Sequence, residues 1–134
     1  MTTPDPLGTR QRASLGVIRL SLLAGVLGFG AVTWFLHRGE AWTGPARPPG
    51  GAFATVTIAV CVLAIGGILL ARRQVTTTRD AGKYGSWCVI GWAFGELAAL
   101  MGGVYYFLTD DPSRYLIGVL VMLLSFVLIP LRRA

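Results

Sequence analysis

Four near-continuous apolar runs limit what this chain can fold into. They are Leu15–Leu36, Ala52–Leu70, Ser86–Leu108 and Tyr115–Leu131. At about 17 to 23 residues, each is long enough to cross a hydrocarbon core of about 30 Å as a helix. The last is the shortest and crosses only with local thinning of the bilayer or snorkelling at its ends. In lipid every backbone amide must be satisfied within the segment, so these runs are helices rather than strands. A water-soluble bundle would need polar helix faces, which the runs lack. Only 13% of residues are charged, against about 25% in a soluble domain. The expected fold is all-α: a four-helix transmembrane domain over residues 15–134, built as two hairpins, after a polar leader of residues 1–14.

The net charge of +6 is placed asymmetrically. Arg10, Arg12 and Arg19 precede or open the first span, Arg72, Arg73, Arg79 and Lys83 lie between the second and third, and Arg132 and Arg133 close the chain. The opposite side carries Arg38, Arg47 and Arg114 together with Glu40, Asp110 and Asp111. Under the positive-inside rule both termini are cytoplasmic. The basic side attracts anionic lipid headgroups, which accounts for the charge without nucleic acid as a partner. Arg10, Arg12 and the following apolar run imitate a signal peptide ending near Gly30. The run continues to Leu36, however, and resembles a later span, so the first span is expected to be retained. Arginine far outnumbers lysine, Lys83 being the single lysine. That usage associates the chain with a GC-rich bacterial genome, and hence with the bacterial cytoplasmic (inner) membrane as a multi-pass protein.

Pro45, Pro48 and Pro49 with their neighbouring glycines mark an irregular outer loop, His37 to Gly51. A polar inner loop is expected from Ala71 to Gly85. Only Thr109 to Arg114 separates the last two spans, which requires a tight antiparallel hairpin. Shifting the first span by 72 positions aligns Ile18, Gly30, Val32, Phe35 and Leu36 with Ile90, Gly102, Val104, Phe107 and Leu108. Two parallel hairpins related by duplication would give such a pattern, as would chance among Leu/Gly-rich spans.

Glu96 is the strongest candidate for chemistry. It lies about 15 Å into the third span, close to the bilayer midplane. A carboxylate there costs about 2.5–3.5 kcal/mol on insertion scales, so it is expected to face protein. Gly91, Gly95, Ala99 and Gly103 form a small-residue ladder on the same span, which lets another backbone approach closely. The hairpin returns Ser125 to the depth of Glu96, and Arg19 lies about 8–9 Å shallower. Both are expected partners for a buried Glu96, the alternative for Arg19 being snorkelling to the headgroups. The functional alternative to this packing role is a proton or ion site.

His37 is the single histidine, at the outer end of the first span. It is expected to be solvated, with ligation of a metal or tetrapyrrole as the minor alternative. Cys61 and Cys88 differ in depth by about 12 Å, beyond the roughly 7 Å a disulfide permits between Cα atoms. Trp34, Trp42, Tyr105, Tyr106 and Tyr115 towards the outside, and Tyr84 and Trp87 towards the inside, read as interfacial belts. A belt leaves pigment or lipid contacts open, but no cofactor is predicted. No metal-ligand spacing, phosphate-binding glycine loop, Ser/His/Asp set or acid pair occurs, so no catalytic residue is named and an enzyme is not expected.

The segment Gly95-Glu96-Leu97-Ala98-Ala99-Leu100, with Pro130 ending the last span, resembles a scattered group of short four-span bacterial membrane proteins that carries no transferable activity. Two hairpins with one mid-membrane carboxylate also resemble the duplicated proteolipids of rotary ATPases. In those the ion-binding acid sits on the second helix of a hairpin, whereas Glu96 is on the first. The expected function is a non-enzymatic accessory or structural subunit that packs against other membrane-protein subunits in a larger complex, respiratory or photosynthetic in type. The alternative is a proton- or ion-translocating oligomer that uses Glu96.

Overall fold

In the computed structural model residues 8–39 and 50–131 are described. They form four α-helices: α1 (Thr9–Arg38), α2 (Gly51–Thr77), α3 (Ala81–Thr109) and α4 (Ser113–Leu128). The first three are long and apolar enough to cross a membrane. Arg47, Trp42, Glu40, Arg132, Arg133 and most of the expected outer loop lie outside the described residues.

Each long helix exceeds its apolar run. At 30 residues, α1 measures about 45 Å, close to the thickness of a bilayer with its headgroup layers. The expected inner loop from Ala71 to Gly85 is therefore mostly helix, and the link between α2 and α3 is reduced to Thr78, Arg79 and Asp80. Polar turns outside the hydrocarbon keep their backbone bonds, so polarity did not mark the helix ends. The ends follow local chemistry instead. The Thr77 hydroxyl donates back to the Arg73 and Gln74 carbonyls at 3.1 and 3.2 Å, and Asp80 caps α3 by accepting from the Lys83 amide at 2.9 Å.

α4 stops at Leu128, short of the expected Leu131, because Pro130 disfavours helical geometry at Ile129. This strands helix-end carbonyls in an apolar layer. Two donors from α3 reach them: the Trp92 indole N–H to the Ile129 carbonyl at 3.3 Å, and the Tyr84 hydroxyl to the Pro130 carbonyl at 3.0 Å.

α3 is the centre of the bundle, packing against α4, α2 and α1 in decreasing order of extent. Space that a glycine Cβ would need is filled across each interface. Gly102 meets Arg114 and Tyr115, Gly95 meets Met122 and Ser125, and Gly91 meets Ile129, so α4 runs antiparallel to α3. Gly67 against Phe94 and Gly91 against Ala71 make α2 antiparallel as well. Gly85 against Leu15 and Gly103 against Phe29 set α1 parallel to α3. α1 and α2 share no substantial interface. The final two helices form the expected hairpin. The first two do not, because each spends its small-residue or buried face on α3 rather than on the other.

The bundle is apolar outside as well as inside. Val127 is 73% exposed, Phe35 72% and Leu63 68%. In the most apolar windows of α1 and α2 only 17% of residues are buried. Water-soluble proteins rarely show apolar patches beyond a few hundred Å², whereas lipid solvates such a surface. The chain is membrane-associated through helices of spanning length.

Candidate functional site

Gly91, Gly95, Ala99 and Gly103 are all buried, and they bring three neighbours close to α3. The Ser125 Oγ and the Met122 Cα occupy the place of a Gly95 side chain, and Gly118 lies against the Ala98 carbonyl and the Ala99 Cα. At the Gly103 end the Phe29 ring of α1 fills the notch. The ladder thus seats α4 along most of its length, α1 at the Gly103 end and α2 at the Gly91 end.

Glu96 is one residue beyond this seam, about 100° round the helix, and that rotation separates it from its expected partners. It is half-buried rather than buried, and among the described residues it makes no hydrogen bond or ion pair. Ser125 is buried, but its hydroxyl donates to the Met122 carbonyl at 2.6 Å. Arg19 is half-buried and neither reaches Glu96 nor snorkels freely: its guanidinium lies 4.4 Å from the centre of the Phe126 ring. A cation over an aromatic face is worth about 0.5–2 kcal/mol, enough to hold Arg19 on α4. Ser125 lies against Gly95, the residue next to Glu96 in the chain, and the turn of the helix between the two directs Glu96 elsewhere.

Beside Glu96, α3 presents a continuous exposed stripe: Ser86, Ile90, Ala93, Leu97, Leu100 and Val104. The alternating spacing of four and three keeps all six on one helix face. α1 covers α3 on one flank of the stripe, at Gly85 and Gly103, and α2 on the other, at Gly91 and Phe94. Because α1 and α2 share no substantial interface, the stripe stays exposed between them, with Glu96 on its α1 side.

His37 departs from its expected solvated state. Its side chain is 5% exposed. The ring stacks on Tyr106 at 5.4 Å between centroids and meets Phe107 edge-on at 6.2 Å. Nδ1 lies 2.7 Å from the Thr33 carbonyl, which can only accept, so Nδ1 carries a proton. Nε2 is 3.9 Å from Asp110 Oδ1. Asp110 ends α3 with φ 60° and ψ 15°, a left-handed conformation that Asp tolerates better than most residues. Next to it, Asp111 accepts from the Ser113 amide at 3.0 Å, and these bonds to Ser113 hold its carboxyl below the usual range.

The aromatic belts are in part something else. Tyr84, Tyr106 and Tyr115 are buried and serve packing. Trp34 is exposed, with the Arg38 guanidinium 3.9 Å above its ring, as an interfacial residue would be. Both cysteines are free thiols. Trp92, Tyr84 and Tyr115 emerge as polar anchors that sequence reading missed. A long aromatic with a polar tip inside a span would have been the available signal, since such a tip needs an acceptor.

Comparison with protein-family models, with characterised proteins and with solved structures finds no match.

Proposed function

We propose that this chain is a non-enzymatic integral membrane subunit that packs within a larger assembly, respiratory or photosynthetic in type. In this reading α4 is the fourth span, both termini are cytoplasmic, and the host membrane is a bacterial cytoplasmic membrane. Arg10, Arg12, Arg72, Arg73, Arg79 and Lys83 gather at one end of the antiparallel bundle, and that basic end faces the cytoplasm and its anionic lipids.

The observation that carries the reading is Glu96 beside the exposed stripe of α3. A carboxylate at this depth is costly unless it is hydrogen-bonded, and the chain's own described residues leave it without a partner. A transmembrane helix of another subunit, lying on the Ser86–Val104 stripe and bearing a donor at mid-depth, supplies what is missing. Mild-detergent purification from the native membrane tests this. Co-purification of a defined second chain that is lost with Glu96→Leu supports the proposal, and recovery of the lone chain from intact membranes contradicts it.

The half-exposed setting of Glu96 also favours a second reading, an oligomer that moves protons or ions through this carboxylate. That reading requires Glu96→Gln to abolish flux in liposomes while assembly persists.

A further inference from the structure

A second surface feature lies between α2 and α4, away from Glu96. Ile58, Cys61, Val62 and Ile65 of α2 and Ile117 of α4 line an apolar groove of about 150 Å³ that reaches Arg114. From Ile58 to Ile65 it runs about 10 Å along α2, against about 15 Å of hydrocarbon in one leaflet. Its wall at Thr57 offers no free donor, because the Thr57 hydroxyl is turned back to the Phe53 carbonyl at 3.0 Å. Arg114 is therefore the group left to bind anything polar.

The guanidinium is held in place. It lies 4.8 Å from the centre of the Tyr105 ring, which stacks on Phe53 at 6.2 Å and 5°. As the second residue of α4, Arg114 stands where the helix emerges from the apolar layer. Among the described residues no carboxylate lies within ion-pair distance of it. Asp110 faces His37, and Asp111 is engaged first by Ser113, with Arg114 only the weaker of the influences that lower its carboxyl. A stacked guanidinium keeps its edge N–H groups available, and their planar fork suits a phosphate.

We infer that this groove binds one membrane phospholipid, with its phosphate on Arg114 and one acyl chain along Ile58–Ile65. A cation at the polar boundary above an apolar slot about two-thirds of a leaflet deep matches that ligand's charged head and the upper part of one of its chains. The site lies at the end of the bundle opposite the basic cluster, so it is separate from general attraction of headgroups to Arg72, Arg73, Arg79 and Lys83.

The test is native mass spectrometry of the delipidated full-length protein titrated with phosphatidylglycerol. Diacylglycerol of the same chains and sn-glycerol 3-phosphate serve as half-ligands. The wild type is expected to bind one phosphatidylglycerol at least tenfold more tightly than either half-ligand. Arg114→Gln, which removes the charge, and Val62→Trp, which fills the slot, are each expected to weaken binding at least tenfold. Arg114→Lys is expected to fall between wild type and Arg114→Gln. Equal binding of diacylglycerol, or of sn-glycerol 3-phosphate, by the wild type overturns the inference and needs no variant to fold. So does unchanged affinity in a folded Arg114→Gln protein.

Discussion

The Tyr115 hydroxyl donates to the Val26 carbonyl across 2.8 Å, passing through the space where a side chain on Gly30 would be. In a helix the carbonyl of residue i−4 is shielded by the side chain at i, and at Gly30 there is none to shield it. The bond ties α4 to α1, two helices with little other backbone proximity.

Gly30→Ala places a methyl group on the Tyr115 ring and hydroxyl. It is expected to cost about 1–3 kcal/mol by forcing the ring aside. Tyr115→Phe removes only the hydrogen bond and is expected to cost about 1 kcal/mol. Thermal unfolding in detergent ranks the two. A Gly30→Ala protein as stable as wild type would show that Tyr115 does not occupy this position.

Glycines on this chain divide into two kinds, and the same measurement separates them. A Cβ on Gly95 would stand 2.9 Å from the Met122 Cα, a backbone atom that cannot step aside. Nothing lies within 4 Å of the corresponding point on Gly28. Gly95→Ala should lower the melting temperature, by about 1–3 kcal/mol of stability. Gly28→Ala should leave it unchanged or raise it by up to about 1 kcal/mol through helix propensity. Equal effects of the two substitutions would refute the α3–α4 seam.

Much of this architecture is legible in the sequence because its signals are axial. Apolar runs give the helices, residue counting gives the level along them, and the spacing of Gly91, Gly95, Ala99 and Gly103 marks a helix face. What was not legible is azimuthal or depends on which helices meet. Glu96 and Ser125 share a depth, yet it is Gly95 that faces Ser125. α1 and α2 are consecutive in the chain, yet both spend their contacts on α3. The 72-residue shift that aligns the first and third spans is close to the register at which α1 lies beside α3, with Leu15 at Gly85 and Phe29 at Gly103. Nothing in the sequence distinguishes that neighbourhood from repetition.

The neutral imidazole of His37 should be the Nδ1–H tautomer, since Nδ1 faces the Thr33 carbonyl at 2.7 Å. Nitrogen-15 shifts of the ring at alkaline pH read this directly. A neutral ring protonated on Nε2 would contradict the contact. Asp110→Asn keeps a residue that accepts the left-handed backbone, and should disturb the α3–α4 turn less than Asp110→Val.

Asp111 provides a pH dependence with a defined sign. Its folded pKa is depressed by the bonds from Ser113, so its contribution is present above the unfolded value of about 3.9 and is lost as pH falls through the lower folded value. Hydrogen exchange at the Ser113 amide should accelerate across that acid range. Asp111→Ala should remove the dependence, and an Ser113 amide that exchanges at the same intrinsic-corrected rate throughout would argue against the bond.

Whether the exposed stripe beside Glu96 holds a partner helix can be read by photo-crosslinking in the native membrane. A photoreactive residue replaces Leu97, on the open stripe of α3, or Leu63, on the outer face of α2. Leu97 is expected to give a protein adduct of one defined mass, sharply reduced in a Glu96→Leu background, and Leu63 only lipid adducts. Lipid adducts alone from both positions would contradict a partner helix there.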